Sequence, residues 1–182
     1  MPLQVAKVLD DAQLVQAWEM YVSAFAELRA AAAQRHVMNR REFDEVMTDE
    51  RVAKYLAIDA ATGRLAGLAT FTNDLDAMPL ISPDFFARRW PDLFAQRKVW
   101  YLGFFAVEPA YRSSGTFEEV IAEMWAEIRV AGGLAALDIC GQNAALGLPR
   151  AIQRTLEALT PQVKTEQMDV QTYWSFELEA TD

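Results

Sequence analysis

Cysteine and histidine are almost missing from this chain of 182 residues, where Cys140 and His36 each stand alone. One cysteine excludes an internal disulfide framework, and one cysteine with one histidine leaves too few ligands for the common zinc sites. No metal is expected. Positive charge is also short: 17 Lys and Arg face 26 Asp and Glu, a formal net charge of −9. That balance excludes the basic footprint of a nucleic-acid binder and leans towards a cationic or neutral partner. No apolar run approaches membrane-spanning length, and the opening MPLQVAKVLDD lacks a signal-peptide pattern. A cytoplasmic protein without membrane contact is therefore expected. Internal repeats, linkers and low-complexity tracts are absent too, so residues 1–182 read as one domain.

What is present is enough to build a core: hydrophobic residues are 52% of the chain and charged residues 24%. The chain is organised around Val99 to Val130. It opens VWYLGFFAVEP, an apolar run of strand length, and turns through AYRSSG. It then continues as a helix, with Phe117, Val120, Ile121, Met124 and Ile128 at helical spacing. A strand feeding a helix through such a loop leaves N–H groups unpaired at the positive end of the helix dipole. Such a unit suits a phosphate group, and Arg112 adds a fixed charge. The plainer reading is that Ser113, Ser114 and Gly115 simply make a turn and a cap.

Around this unit the pattern alternates between strand and helix. Leu3 to Val8 reads as a strand, followed by a helix from Ala12 to about Ala31 capped by Asp10 or Asp11. Asn39 caps a second helix over Arg40 to Thr48. Val52 to Asp59 and Arg64 to Thr72 form a hairpin about Ala61-Thr62-Gly63. An aromatic-rich insertion covers about 73–98, where Ser82-Pro83-Asp84 starts a short helix that Pro91 interrupts. This segment is too apolar for a free loop and is expected either to lid a pocket or to pack on another subunit. Leu134 to Cys140 reads as a buried strand, Gly141-Gln142-Asn143 as a turn, and Pro149 to Leu159 as a helix. Val163 to Glu179 is strand-like, as a hairpin turning near Asp169 or as one long strand.

The order of these elements, with Val107-Glu108-Pro109-Ala110-Tyr111-Arg112-Ser113-Ser114-Gly115, resembles the GNAT acyltransferases and their V-x-P-x-x-R-x-x-G entry to a pyrophosphate loop. The resemblance implies an α/β fold with a mixed, mostly antiparallel central sheet flanked by helices. It implies acetyl-CoA or a longer acyl-CoA as cosubstrate. Main-chain groups of Phe105, Ala106 and Val107 would pair with the pantetheine amides. Arg112, Ser113, Ser114, Gly115, Thr116 and Phe117 would surround the pyrophosphate, and Asn143 stands where the family often keeps an asparagine near the cofactor.

The chain departs from that pattern at three places. Phe117 replaces a small residue, and its ring either enters the core or fills the pyrophosphate site. Glu118 and Glu119 suit the helix dipole but repel a phosphate. Arg150 stands where many members carry a tyrosine acid, and Tyr101 and Gly103 occupy strand positions that often hold a glutamate. The catalytic candidates must then come from the residues themselves. Tyr101 on the central strand can donate a hydrogen bond or proton, though it also suits the core. Asp138 within an apolar strand needs a partner or an open cleft. Asp74 can bind or deprotonate an amine, although Asn73-Asp74 suits a turn equally. Cys140 as a nucleophile, His36 as a base and the Glu27–Arg29 pair as a clamp are weaker candidates than their structural readings. Direct acyl transfer to an amine of a small molecule is the expected activity, with a binding module lacking turnover, or a user of longer acyl chains, as alternatives. A homodimer is expected from the aromatics and the terminal strands.

Overall fold

The computed structural model describes residues 1–28, 37–111 and 115–178. Five strands form one sheet in sequence order: β1 (Leu3–Ala6), β2 (Ala53–Ile58), β3 (Leu65–Thr72), β4 (Val99–Val107) and β5 (Leu134–Ala136). The first four are joined antiparallel and β5 lies parallel to β4. This is the mixed, mostly antiparallel sheet that the element order implied.

Helices cover both faces. On one lie α1 (Asp11–Ala24) and α2 (Arg40–Thr48), each opened by a capping box, Asp10 with Gln13 and Asn39 with Glu42. Their apolar stripes meet β4 through rings. Tyr21 packs edge-on to Phe104 with centroids 4.9 Å apart, beside Trp18, Phe25 and Phe43. The buried Tyr21 hydroxyl is satisfied by the Met38 N–H at 2.8 Å. α3 (Pro83–Arg89) and α4 (Pro91–Ala95) complete this face, each with proline in its first turn. The other face carries α5 (Thr116–Ala131), which buries Val120, Ile121, Met124 and Ile128, followed by α6 (Gly141–Ala145) and α7 (Leu148–Leu159). The return from α5 to β5 is tight. A Cβ at Gly133 would lie 2.3 Å from the Lys98 carbonyl oxygen, so only glycine fits there.

Several expectations are corrected. α1 ends at Ala24 and gives way to a turn at 25–27; residues 29–36 lie outside the described residues. Part of the aromatic segment packs into the chain's own core. Phe86 is buried against the sheet, 6.0 Å from the Tyr101 ring and stacked with Trp90. β5 stops at Ala136 instead of Cys140, and Asn143 lies within α6 instead of a turn. Over 163–178 no strand forms. Propensity for an extended chain is satisfied there, but a strand also needs a neighbouring edge, and this segment has none among the described residues.

Candidate active site

β4 and β5 part company early. Their ladder joins Val99 to Leu134, Trp100 to Ala135 and Tyr101 to Ala136, and then β5 ends. β4 runs on through Leu102 to Val107, paired only with β3. Its main-chain groups on the β5 side of that stretch have no strand partner among the described residues. The result is a fork whose wall is a strand edge, able to accept and donate hydrogen bonds to an extended amide-bearing chain. Phe105, Ala106 and Val107, the expected pantetheine contacts, lie on that wall. A bulge just inside the fork leaves Gly103 unpaired between Leu102, which faces Phe71, and Phe104, which faces Thr70. A Cβ at Gly103 would fall 2.1 Å from the Met78 methyl and 2.7 Å from Thr70 Oγ1, so the strand cannot carry a larger side chain there without rearrangement.

Because β4 and β5 are parallel and each feeds a helix, α5 and α6 begin at the same end of the sheet, beyond the fork. α5 starts from Gly115, whose φ of +79° suits glycine alone. Its first N–H groups have no acceptor within the helix. Thr116 is buried with its methyl close to Gly67, and the Phe117 ring packs edge-on to Phe105 with centroids 5.1 Å apart. Of the two orientations open to Phe117, the ring thus takes the one turned onto the sheet. The carboxylate of Glu119 is 3.4 Å from the N-terminal amino group, while Glu118 is exposed. Tyr111 donates to Asp59 and pins the approach to the loop onto the β2–β3 hairpin. Arg112, Ser113 and Ser114 lie outside the described residues, as do Arg29 and His36.

At the base of the fork two sequence candidates meet. The Tyr101 hydroxyl donates to Asp138 Oδ1 at 2.6 Å. Tyr101 is buried on β4, whereas Asp138 stands just past the end of β5 and is exposed. Burial, reinforced by the Asp138 charge, pushes the Tyr101 phenol well above its usual range. The phenol therefore stays protonated and holds the carboxylate in one orientation. Asp138 needs no apolar strand around it: the exposed position is a correction to its expected setting. Asp74 is elsewhere, at the far end of β3, paired with Arg97 at 2.9 Å and Arg51 at 3.8 Å. Cys140 is buried and opens α6, its carbonyl accepting from the Ala144 N–H.

A further cavity of about 450 Å³ lies where α6 meets α7, lined by Asn143, Leu148, Arg150 and Arg154 among others. Asn143 is the residue expected near the cofactor, and Arg150 the one that stands in place of a tyrosine acid. Arg154 was missed, although its i+4 spacing from Arg150 on one helix was the available clue. Both guanidinium groups are exposed, and the cavity lining contains no acid. Among the described residues no group of three or more His, Cys, Asp or Glu side chains could hold a metal ion, and no helix is long and apolar enough to cross a membrane.

No family model and no curated protein matches the sequence. Solved structures do. A probable acetyltransferase aligns with a TM-score of 0.58 at 16% identity, covering 97% of this chain and 100% of that one. An aminoglycoside antibiotic 6'-N-acetyltransferase from Acinetobacter haemolyticus aligns with a TM-score of 0.54 at 15% identity, covering 98% and 100%. A ribosomal-protein-alanine N-acetyltransferase from Escherichia coli gives 0.51 at 15% identity, covering 85% and 76%. These agree in fold and differ in what their names say they acetylate. The chain has the GNAT acetyltransferase fold, in a divergent sequence.

Proposed function

We propose that this protein is a CoA-dependent N-acyltransferase that moves an acetyl group directly to an amine of a small molecule. The observation that carries the reading is the fork: an unpaired β4 edge, the start of α5 at Gly115 and the Tyr101–Asp138 pair all belong to one strand–helix–strand unit. The residues present suit the cosubstrate. The β4 edge offers main-chain partners for its amides, and the first N–H groups of α5 face the position of a diphosphate. Arg150 and Arg154 supply positive charge in a chain of net charge −9. When bound, acetyl-CoA supplies an activated thioester carbonyl.

The chain's own contribution is orientation and a proton acceptor. An amine arrives as an ammonium and must lose a proton before it attacks. Asp138, exposed and held by Tyr101, is placed to attract the ammonium and then accept that proton. Tyr101, protonated throughout, acts as a positioning residue. Phe86, packed edge-on to the Tyr101 ring, helps fix that ring in place. The acidic surface balance favours a basic acceptor.

The test is thiol release from acetyl-CoA across a panel of amines. Wild type is expected to turn over at least one amine, and Asp138→Asn to lose about 10²–10⁴-fold in kcat while still binding acetyl-CoA. Thioester binding with no release across the panel would instead support the reading as a binding module without turnover, which Arg150 in place of a tyrosine acid favours. Full activity in Asp138→Asn would remove Asp138 from the mechanism.

A further inference from the structure

Among the described residues one buried side-chain oxygen has no hydrogen-bond partner, the Oγ1 of Thr70. Thr70 is fully buried on β3, opposite Phe104 of β4. A hydroxyl in that state costs stability, and cores seldom keep one without a use. It faces Gly103, the residue that the bulge leaves unpaired. The place of a Cβ on Gly103 is 2.7 Å from Oγ1 and is taken up by the Met78 methyl, with Met78 Sδ 3.4 Å away. A bulge glycine, a methionine tip laid over it and an unsatisfied hydroxyl thus meet at one spot, on the face of β4 that also carries Tyr101 and Phe104.

The root of Met78 is fixed. Its N–H donates to the Leu75 carbonyl at 3.2 Å, and the Ala77 N–H to the Asp74 carbonyl at 3.0 Å. Asp74 is held in turn by Arg97 and by the Thr72 hydroxyl, which accepts from its N–H at 3.0 Å. The sequence candidate Asp74 therefore has a use in anchoring the turn that carries Met78. The tip of the side chain is freer, because an unbranched thioether bends at little cost. Met78 also borders a cavity of about 300 Å³ lined by α2 and residues 76–79.

With a diphosphate at the start of α5 and amides along Phe105 to Val107, the cosubstrate runs down β4 towards Tyr101. Two residues of strand span about 7 Å, close to the reach of the two methylenes and sulfur that follow the last amide. The thioester carbon then falls beside Gly103. There the acyl group has to leave the plane of the sheet, because the β4–β5 ladder closes the fork at Tyr101 and Ala136. The α5 face is filled, with Leu102 packed among Val120, Ile121 and Met124. The opposite face offers a glycine with the Met78 methyl over it.

We propose that Met78 limits the transferred group to acetyl, with the Thr70 hydroxyl as a second barrier behind it; this rests on the acyltransferase reading above. An acetyl group ends at its first methyl and leaves Met78 where it is. Each further methylene has to push the Met78 tip aside, at the cost of repacking a filled core. An apolar chain that does so then meets the Thr70 hydroxyl, which it cannot pair.

The experiment compares acetyl-CoA with butyryl-CoA on the full chain, by calorimetric binding and by thiol release with an amine that wild type acetylates. Wild type should prefer acetyl-CoA about 10-fold or more in kcat/KM. Met78→Ala should shift the butyryl-to-acetyl ratio about 10-fold towards butyryl, in Kd as in kcat/KM, while its Kd for free CoA stays that of wild type. Thr70→Val removes an unpartnered hydroxyl from the core and so should fold; it should shift the same ratio about 3-fold. A folded Met78→Ala with the wild-type ratio overturns the proposal, as does a wild type that prefers butyryl-CoA. Should Met78→Ala not fold, an unshifted ratio in Thr70→Val overturns it instead. Use of acetyl-CoA with no shift in the ratio defeats this inference alone. Failure of wild type to bind any thioester defeats the acyltransferase reading and this inference with it.

Discussion

At the smallest scale the proposed chemistry rests on two residues, and the roles proposed for them follow from where each sits. Tyr101 is buried and Asp138 is exposed, with 2.6 Å between hydroxyl and carboxylate oxygen. Replacing Tyr101 with Phe leaves the carboxylate present but free to rotate. Its kcat should fall about tenfold, the worth of roughly one hydrogen bond, with the KM for acetyl-CoA unchanged; an unaltered kcat would deny the positioning role. Asp138 stood out in the sequence as a strand carboxylate in need of a partner or an open cleft; Tyr101 is that partner, but the strand ends before Asp138. Lys54 was not legible at all. Its ammonium is fully buried on β2, donating to the carbonyls of Lys7 at 2.6 Å and Asp49 at 2.7 Å. Burial lowers its pKa from 10.5 to about 8. Between those values the unfolded chain binds the proton and the folded chain does not, so stability rises with pH across that window and the gain is lost as pH falls through about 8. Denaturant unfolding should show an increase of up to about 3 kcal/mol from pH 8 towards 10, before the buried phenols begin to oppose it. The increase should be missing in Lys54→Met. A flat wild-type profile would contradict the assignment.

Individual elements were read well wherever a local rule decided them. The caps at Asp10 and Asn39, the prolines opening α3 and α7, and the helical stripe of α5 all depend on residues within a few positions of one another, whereas Pro91, read as interrupting a helix, opens α4. Elements that need a partner were read less well. Leu134 to Cys140 has strand composition throughout, but β5 ends at Ala136 where β4 and β5 separate. The separation is invisible in one sequence because it is a property of two strands. The same holds for 163–178, strand-like in composition and unpaired in the fold. Arg150 and Arg154 show the reverse case, in which helix periodicity was available and unused. If their cavity holds part of an anionic cosubstrate, the pair Arg150→Ala with Arg154→Ala should raise the KM for acetyl-CoA about 3- to 10-fold at low salt. The difference should shrink as ionic strength rises. An unchanged KM at low salt would place the cosubstrate elsewhere.

For the molecule as a whole, element order and one nine-residue loop motif carried the fold, and a scaffold with the same topology appears in enzymes whose names give them different acceptors. The shared fold therefore does not by itself name the acceptor, and function has to be argued from the site. What the whole chain adds is charge and architecture: a net charge of −9 with a fork opening onto two helix N-termini. The account depends most on the mouth of α5 being able to receive a diphosphate, with Phe117 folded away onto Phe105. Calorimetric titration of the full chain with acetyl-CoA tests this directly, alongside Gly115→Trp, which fills the mouth and cannot easily adopt the φ of +79° found there. The expected result is saturable binding in the micromolar range by wild type and none by a folded Gly115→Trp. Absence of binding by wild type, or equal binding by both, would contradict the account.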